Sequence, residues 1–577
     1  MQKYTKHIKP YWPYFILSPL LMLIEVYCDV KVPSLAAEII NVGVANGDAA
    51  EILNLAVWMV LHVLLAVIGG VGASFCATRA SVNFSSDLRA ELFEKIQEFS
   101  FANIDKFSTG SLVTRLTNDI TQLQQFVVLA LRMMFRAPGM LVGAIVMSYL
   151  LSPQLSLIYL LLVPLLSVVI WITLSLSYKK FEVLQTKIDA LNTNVQEILT
   201  NIRVIKGLTR EGYEEKRFVK TNEELKDTGL AAYRITILQV PLMTILINFG
   251  TVSVLWLGSQ LLDVGSIQIG DISALITYLA QILMSVSMIA MVFLQSSRAF
   301  VCIHRISEVL DTNVDIANAE QADEARMVNS GEVEFKNVSF RYYKNNHEEV
   351  LRNVSLQIAS GQTVGVIGST GCGKTSLINL IPRLYDADQG AVYVDGLNVK
   401  NYTLENLRDG VSVVLQNNML FSGTIEENLR WGDADATKEE LALAAEWSAA
   451  SDFINAKRDG YQAMLDQGGL NLSGGQKQRL CIARALLKKP KILILDDSTS
   501  AVDTATEGKI THHLHNELKD TTKIIIAQRV TSVMAADIIV VMNDGAIEAC
   551  GDHKTLLKES TTYQEIYYSQ MDKEVQA

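Results

Sequence analysis

Charged residues are scarce in this chain of 577 residues: Asp, Glu, Lys and Arg together make up 19% of it, against about 25% in average soluble proteins. The deficit falls in residues 1–330, which hold the long apolar runs, whereas residues 331–577 have the composition of an ordinary soluble domain. The length also exceeds the roughly 100–200 residues of one typical domain. The sequence therefore predicts a membrane domain followed by a soluble domain.

The chain also lacks an excess of positive charge and any cysteine pair. It has 50 Lys and Arg residues and 61 Asp and Glu residues, which gives a net charge of −11. No nucleic-acid partner is therefore expected. Without a Cys-x-x-Cys pair, a zinc ribbon, a redox motif and a disulfide framework are disfavoured. We interpret the cysteines as small apolar residues in a reduced setting; they are Cys28, Cys76, Cys302, Cys372, Cys481 and Cys550.

Six stretches are apolar over the length of about 20 residues that a membrane-spanning helix needs. They cover roughly residues 12–35, 53–78, 128–151, 154–177, 235–262 and 272–297. Lys and Arg are frequent in residues 79–127 and 178–234 but absent from 36–52, 152–153 and 263–271. Because basic residues concentrate on the cytoplasmic side, both chain termini are predicted to be cytoplasmic.

The predicted domain organisation follows from these spans. Residues 1–10 form a basic helix lying on the membrane surface, ahead of an uncleaved first span. Residues 11–299 form an all-α transmembrane domain whose helices extend into the cytoplasm as two long hairpins. Their tips, which could contact the C-terminal domain, are expected near 117–124 and 209–215. A polar linker covers 300–330, and an α/β domain covers 331–577.

The second half contains a phosphate-binding loop. Residues 368–375 match the pattern G-x-x-x-x-G-K-[ST], after a predicted strand at 363–367 and before a helix. Lys374 would reach the β- and γ-phosphates, and the Thr375 hydroxyl would bind Mg²⁺. Asp496 ends an apolar strand and would supply the second half of the magnesium site. The predicted phosphate-side residues are Gly368, Ser369, Thr370, Gly371, Cys372, Gly373, Lys374, Thr375 and Ser376.

The segment Leu472, Ser473, Gly474, Gly475 and Gln476 reads LSGGQ. It resembles the signature motif of ATP-binding cassette (ABC) transporters, and six spans plus one cassette resembles an exporter half-transporter. The resemblance implies a type I exporter (type IV) membrane fold, a P-loop ATPase domain, ATP and Mg²⁺. It also implies that each signature motif contacts the ATP bound by a partner chain.

Three further positions take their roles from this resemblance. Tyr342 corresponds to the aromatic residue that stacks on adenine. Gln416 corresponds to the Q-loop glutamine, a catalytic and magnesium-site residue, and Asp503 to the aspartate of the D-loop. Asp496 would hold Mg²⁺ through water.

Two positions depart from the family pattern. The catalytic Glu is replaced by Asp497, and the switch His that contacts the γ-phosphate is replaced by Gln528. The pattern resembles the degenerate-site subunit of bacterial heterodimeric multidrug exporters. It implies a weakly hydrolysing own site, and an intact signature that serves a second half-transporter with Glu and His.

The first span contains Glu25 and Asp29, one helical turn apart. Such residues usually face a bundle interior, where they either attract a cationic cargo or pair with Lys31 or a partner helix. We expect an exporter of amphipathic, possibly cationic, small molecules in a bacterial cytoplasmic membrane, in contact with its lipids. The alternatives are a lipid or peptide exporter, and an ATP-gated sensor that transports nothing.

Overall fold

A computed structural model describes residues 2–319, 322–342 and 348–575. The chain divides into two units. The helical unit comprises Met1–Gln97 and Gly110–Thr312, and the α/β unit comprises Glu98–Thr109 and Asn313–Ala577.

The chain up to residue 310 is almost entirely helical, with short π-helical stretches at Ile39–Val44 and Arg115–Asp119. The helices are α1 (Gln2–Ile8), α2 (Trp12–Glu38), α3 (Ala49–Gln97), α4 (Phe101–Phe107), α5 (Thr109–Thr114), α6 (Ile120–Leu151), α7 (Pro153–Thr200), α8 (Ile202–Gly207), α9 (Glu211–Asp263) and α10 (Ile269–Leu310). Each of the six predicted spans lies within one of the six long helices.

Among the residues that the structure describes, five helical stretches are long and apolar enough to cross a membrane by length and composition: Ala49–Gln97, Thr109–Leu151, Pro153–Thr200, Glu211–Asp263 and Ile269–Leu310. Helix α2 differs from them because Glu25, Asp29 and Lys31 interrupt its apolar sequence. The fold class predicted from the sequence is confirmed: a multi-pass helical domain precedes an α/β domain.

Two buried tyrosines tie the long helices together. The Tyr159 hydroxyl of α7 donates to the Leu275 carbonyl of α10 at 2.8 Å, and the Tyr278 hydroxyl of α10 donates to the Val30 carbonyl of α2 at 2.9 Å. A buried hydroxyl needs a hydrogen-bond partner. Here each tyrosine hydroxyl donates to a backbone carbonyl oxygen of a neighbouring helix, because a carbonyl oxygen can accept a second hydrogen bond. Position 69 lets α2 and α3 approach, since a Cβ on Gly69 would lie 2.9 Å from the Leu21 carbonyl oxygen.

The first hairpin turns at a different place from the one predicted. Residues 117–124 lie in continuous helix, and the chain breaks at residues 98–109 instead. Ser100 starts α4 there: its hydroxyl accepts from the Asn103 amide, and the Asn103 side chain accepts from the Ser100 amide, both at 3.2 Å. This capping box stops α3 and begins a new helix.

The second hairpin turns at α8 and the residues that follow it. Thr209 has φ +53°, and α9 begins at Glu211. The predicted tip, 209–215, therefore covers the turn and the first residues of α9.

The predicted linker, 300–330, begins too early. Helix α10 continues to Leu310, with Cys302, Ile306 and Val309 buried along one face.

The α/β unit contains twelve strands and nine helices after residue 312 among the residues described. The strands are β1 (Val333–Phe340), β2 (Leu351–Ile358), β3 (Thr363–Gly368), β4 (Gln389–Val394), β5 (Leu397–Asn398), β6 (Val411–Val414), β7 (Gly423–Thr424), β8 (Met464–Leu465), β9 (Ile492–Asp496), β10 (Thr522–Ile526), β11 (Ile538–Asn543) and β12 (Ala546–Gly551). The helices are α11 (Lys374–Asn379), α12 (Leu404–Gly410), α13 (Ile425–Arg430), α14 (Lys438–Trp447), α15 (Ser451–Asn455), α16 (Gly474–Leu487), α17 (Thr504–Glu517), α18 (His553–Glu559) and α19 (Thr561–Val575).

A six-stranded sheet with the order β12-β11-β3-β10-β9-β6 forms the centre of this unit. Its strands are parallel except for β12, which pairs antiparallel with β11. An antiparallel sheet, β2-β1-β4-β5, contributes to the same apolar core, and a second core joins the parallel sheet to α13, α14 and α16. Strands buried on both faces are nearly all apolar, as Ile492–Leu495 illustrates.

Candidate functional site

Four neighbouring parallel strands end at one edge of the central sheet, in the order β3-β10-β9-β6. Each is followed by a residue predicted from the sequence: Lys374 after β3, Gln528 after β10, Asp497 after β9 and Gln416 after β6. Ligand sites of open parallel sheets form at the carboxyl ends of the strands. The topology therefore brings together side chains that are far apart in the chain.

The phosphate loop is a tight turn that needs glycine. Gly373 has φ +95°, and a Cβ on it would lie 2.8 Å from the Val350 carbonyl oxygen. The Lys374 ammonium crosses the loop and donates to the carbonyls of Gly368 and Ser369, both at 2.8 Å. The N-terminus of α11 and this ammonium supply the positive charge that a phosphate requires.

The two halves of the predicted magnesium site are in contact. The Thr375 hydroxyl donates to Asp496 Oδ2 at 2.9 Å, and Asp496 is only 2% exposed. Burial raises the pKa of the Asp496 carboxyl; the Thr375 hydrogen bond opposes this rise, and the neighbouring Asp497 adds to it. A buried carboxylate beside a hydroxyl is the oxygen donor set that Mg²⁺ binds, so these residues fit the ion.

Asp497 has a strained backbone and a side-chain partner. Its φ of +48° lies in the left-handed region, which is uncommon for a residue with a Cβ. The Gln528 amide donates to Asp497 Oδ2 at 2.9 Å. The two positions that depart from the family pattern are therefore hydrogen-bonded to each other. Burial raises the pKa of Asp497, and the Lys374 charge and the Gln528 hydrogen bond only partly offset it.

The loop after β10 is held by two residues that sequence reasoning missed. Gln570 of α19 donates to the Gln528 carbonyl and accepts from the Val530 amide, both at 2.8 Å. Glu507 of α17 accepts from the Ser532 hydroxyl at 2.6 Å and from the Thr499 hydroxyl at 2.8 Å. No motif marks either residue, so only the three-dimensional structure identifies them.

Tyr342 lies against the phosphate-loop helix. Its hydroxyl and that of Ser376 are 2.7 Å apart, so the predicted adenine-side residue and the last predicted phosphate-loop residue share a hydrogen bond. Tyr342 is 36% exposed, which leaves part of the residue available for contact with a base. Gln416 lies in the exposed segment after β6, where its carbonyl accepts from the Asn418 amide at 3.4 Å.

The LSGGQ segment forms the N-terminus of α16. The Ser473 hydroxyl accepts from the Gln476 amide at 3.3 Å, and the Gln476 side chain accepts from the Ser473 amide at 3.1 Å. Ser473 and Gly474 are exposed, whereas Leu472 is buried. An exposed helix start with glycine at its first turns is suited to bind an anion presented from outside.

The D-loop packs beside this helix. A Cβ on Gly475 would lie 2.8 Å from the Ala501 carbonyl oxygen, and the Ala501 amide donates to the Gln478 side chain at 3.0 Å. Asp503 caps α17, since its carboxylate accepts from the Thr506 amide at 2.9 Å, and this bond lowers the pKa of Asp503. The Asp503 carboxylate therefore has a structural role in addition to the one implied by the resemblance.

In the helical unit, Arg136 of α6 pairs with both acidic residues of α2. It makes a salt bridge to Glu25 and another to Asp29 at 3.2 Å. Of the two interpretations of these acidic residues, pairing is the one observed, with Arg136 rather than Lys31 as the partner. Arg136 supplies one positive charge against the two carboxylates, and Glu25 Oε2 is a buried atom without a hydrogen-bond partner among the described residues.

Comparison with known proteins identifies the family. The sequence model of the ABC transporter transmembrane region matches residues 15–286, and that of the ABC transporter cassette matches residues 351–500. An ABC transporter ATP-binding protein of Bacillus subtilis, YfiB, whose own description is "uncharacterized", is 39% identical over 579 residues, covering 100% of this chain and 99% of that protein. The chain belongs to the ABC transporter family.

Two further similarities support this assignment. A Mycobacterium tuberculosis ABC transporter ATP-binding protein is 36% identical over 568 residues, covering 98% of this chain and 97% of that protein. A solved structure of a bacterial Atm1-family ABC exporter with ATP bound covers 98% of both chains, with a TM-score of 0.79 and 25% identity. One membrane region and one cassette in a single polypeptide make this ABC protein an exporter half-transporter.

The raised pKa values of Asp496 and Asp497 lead to a prediction about magnesium. Their raised pKa values mean that the fold loses stability as the pH rises through the range in which they ionise, a cost that a bound cation offsets. Asp496→Asn keeps an acceptor for Thr375 but removes a charge. We expect the thermal midpoint without Mg²⁺ to rise by about 2 °C or more, and most of the increase on adding ATP with Mg²⁺ to disappear.

The matched control is Asp544→Asn, which removes an exposed charge paired with Arg352. Differential scanning fluorimetry of the full chain checks both variants. Equal responses of Asp496→Asn and the control to Mg²⁺ would contradict the assignment of Asp496.

Proposed function

We propose that this ABC half-transporter is the subunit of a heterodimeric exporter whose own nucleotide site hydrolyses ATP poorly. The single observation that carries the proposal is the hydrogen bond from the Gln528 amide to Asp497 Oδ2. This bond joins the two positions at which the family pattern has Glu and His. In this chain both positions hold residues that are less suited to hydrolysis.

The chemistry of each replacement supports a weak site. An Asp carboxylate is one carbon–carbon bond, about 1.5 Å, shorter in reach than that of Glu. A displacement of about 1 Å at a reacting group can cost on the order of 100-fold in rate. Gln528 can donate a hydrogen bond but cannot carry the positive charge of a protonated His, so it offers less stabilisation to charge on the γ-phosphate.

ATP binding at the same site does not depend on either replacement. Lys374, Thr375 and Asp496 retain the contacts expected of a nucleotide site with magnesium. Bound Mg²⁺ would neutralise charge on the phosphates there. This chain's residues would hold the triphosphate on the backbone amides of the phosphate loop and the Lys374 ammonium, with Asp497 beside the γ-phosphate.

The intact LSGGQ segment supports the role of the partner. Ser473 and Gly474 lie exposed at a helix N-terminus, where they would contact ATP held by a second half-transporter with Glu and His. Two copies of this chain would form two weak sites, which suits an ATP-driven machine poorly. We therefore favour a heterodimer in the bacterial cytoplasmic membrane, with both termini cytoplasmic.

The cargo we propose is a hydrophobic or amphipathic small molecule, as in multidrug efflux. The long helices expose large apolar side chains, among them Leu161, Trp171 and Phe293, which would contact lipid or such a cargo. Glu25 and Asp29 bring two carboxylates to the single positive charge of Arg136, so this group remains compatible with a cationic cargo.

The proposal predicts that two kinds of substitution in this chain have unequal effects. Lys374→Ala weakens nucleotide binding at this chain's own site and leaves most of the turnover of the complex, because the partner's site does the hydrolysis. Ser473→Ala damages the partner's site and lowers turnover on the order of 100-fold, as loss of one phosphate-side donor can. Steady-state ATP hydrolysis by the purified complex measures both. Near-complete loss of turnover in Lys374→Ala, or full activity in Ser473→Ala, would contradict the division of labour.

The heterodimer itself has a direct test. Native mass spectrometry of the complex purified through a tag on this chain should show one copy of this 63.8 kDa chain and a second chain of similar size. A complex containing only this chain would exclude the proposed partner.

A further inference from the structure

The short helix α4, at the turn of the first hairpin, belongs to the α/β unit rather than to the helical unit. Ala102 packs against the core formed by the two sheets. The Tyr385 hydroxyl donates to the Asp105 carboxylate at 3.1 Å, and the rings of Phe101 and Tyr385 are 6.1 Å apart. Tyr385 is therefore a main attachment point of α4.

The other side of Tyr385 contacts the nucleotide site. Its ring meets the ring of Tyr342 edge to face, with centroids 5.1 Å apart and an interplanar angle of 88°, and packs on Phe340 at 5.6 Å. Tyr342 in turn shares a hydrogen bond with Ser376 of the phosphate loop. A continuous set of contacts thus runs from Asp105 through two aromatic rings to the position assigned to the adenine base.

We propose that Tyr385 is a positioning residue that links the nucleotide base to the helix α4: its ring orients Tyr342, and its hydroxyl holds Asp105. The inference rests on the ATP site proposed above. Because Tyr385 is buried at 9% exposure and contacts both partners directly, a change in the seating of the Tyr342 ring on adenine displaces the same side chain that holds α4.

The two functions of Tyr385 can be separated by substitution. Tyr385→Phe keeps the ring against Tyr342 and removes the bond to Asp105. Tyr385→Leu removes both. Asp105→Asn keeps an acceptor for the Tyr385 hydroxyl and is the conservative rescue, whereas Asp105→Ala removes the acceptor. Tyr568→Leu, at an exposed tyrosine of α19, is the matched control.

The first measurement isolates the base by comparing ATP with inorganic tripolyphosphate, which has no base. Each is used to displace radiolabelled ATP from the full chain in lipid nanodiscs. Aromatic pairs contribute enough that we expect Tyr385→Leu to lose about three- to tenfold in affinity for ATP and less than twofold for tripolyphosphate. Tyr385→Phe and Tyr568→Leu should keep the wild-type ratio. A loss that is equal for the two ligands, or absent, would overturn the proposal, because a general structural defect does not distinguish a base.

The second measurement follows α4 by hydrogen–deuterium exchange of residues 101–107. In the wild type and in Asp105→Asn, ATP should slow the exchange of these amides by about twofold or more, and tripolyphosphate should have a smaller effect. In Tyr385→Phe and Asp105→Ala, ATP should bind normally without slowing the exchange. Equal slowing in Tyr385→Phe and wild type would overturn the link. If wild-type protein bound no ATP, the ATP site itself would fail, which is a distinguishable result.

Discussion

The nucleotide site depends on two adjacent carboxylates at the end of one parallel strand, Asp496, which is buried, and Asp497, which is half-buried. Asp496 and Asp497 follow a strand that is apolar and buried, so their charges must be met by groups from neighbouring elements. Thr375 supplies a hydroxyl to the first, and Gln528 supplies an amide to the second. The parallel sheet makes this possible, since it brings the ends of β3, β9 and β10 to one edge.

Further hydrogen bonds connect the loops that carry Asp497 and Gln528 to neighbouring helices. Ser500 donates to the Asp497 carbonyl at 3.0 Å, and Gln478 of the signature helix donates to Ser500 at 3.3 Å. Glu507 and Gln570 hold the loop that carries Gln528. The loops at the end of the central sheet and the exposed signature are therefore parts of one hydrogen-bonded structure, although we propose that they contact different ATP molecules.

Local sequence was sufficient for the elements that a short segment specifies. The phosphate loop, the strand before Asp496 and the capped start of α16 each depend on residues within a few positions, and the family resemblance supported them. The position of the first hairpin turn was missed because a capping box at Ser100 and Asn103 outweighs helical periodicity. Contacts such as Asp105 with Tyr385 join residues 280 positions apart, and no pattern in one sequence indicates them. The sequence left open whether Glu25 and Asp29 pair with Lys31 or with another helix, and only the structure identifies Arg136 of α6 as their partner.

We propose that Asp497 and Gln528 slow ATP hydrolysis at this chain's own site. Ser473→Ala in this chain silences the partner's site, so the turnover that remains in the complex reports the site of this chain. Adding Asp497→Glu and Gln528→His in that background is the most direct test, read as single-turnover hydrolysis of ATP. The account predicts low residual hydrolysis with Ser473→Ala alone and a gain of about tenfold or more with the two reversions. Unchanged hydrolysis after the reversions, or residual hydrolysis close to that of the unmodified complex, would contradict it.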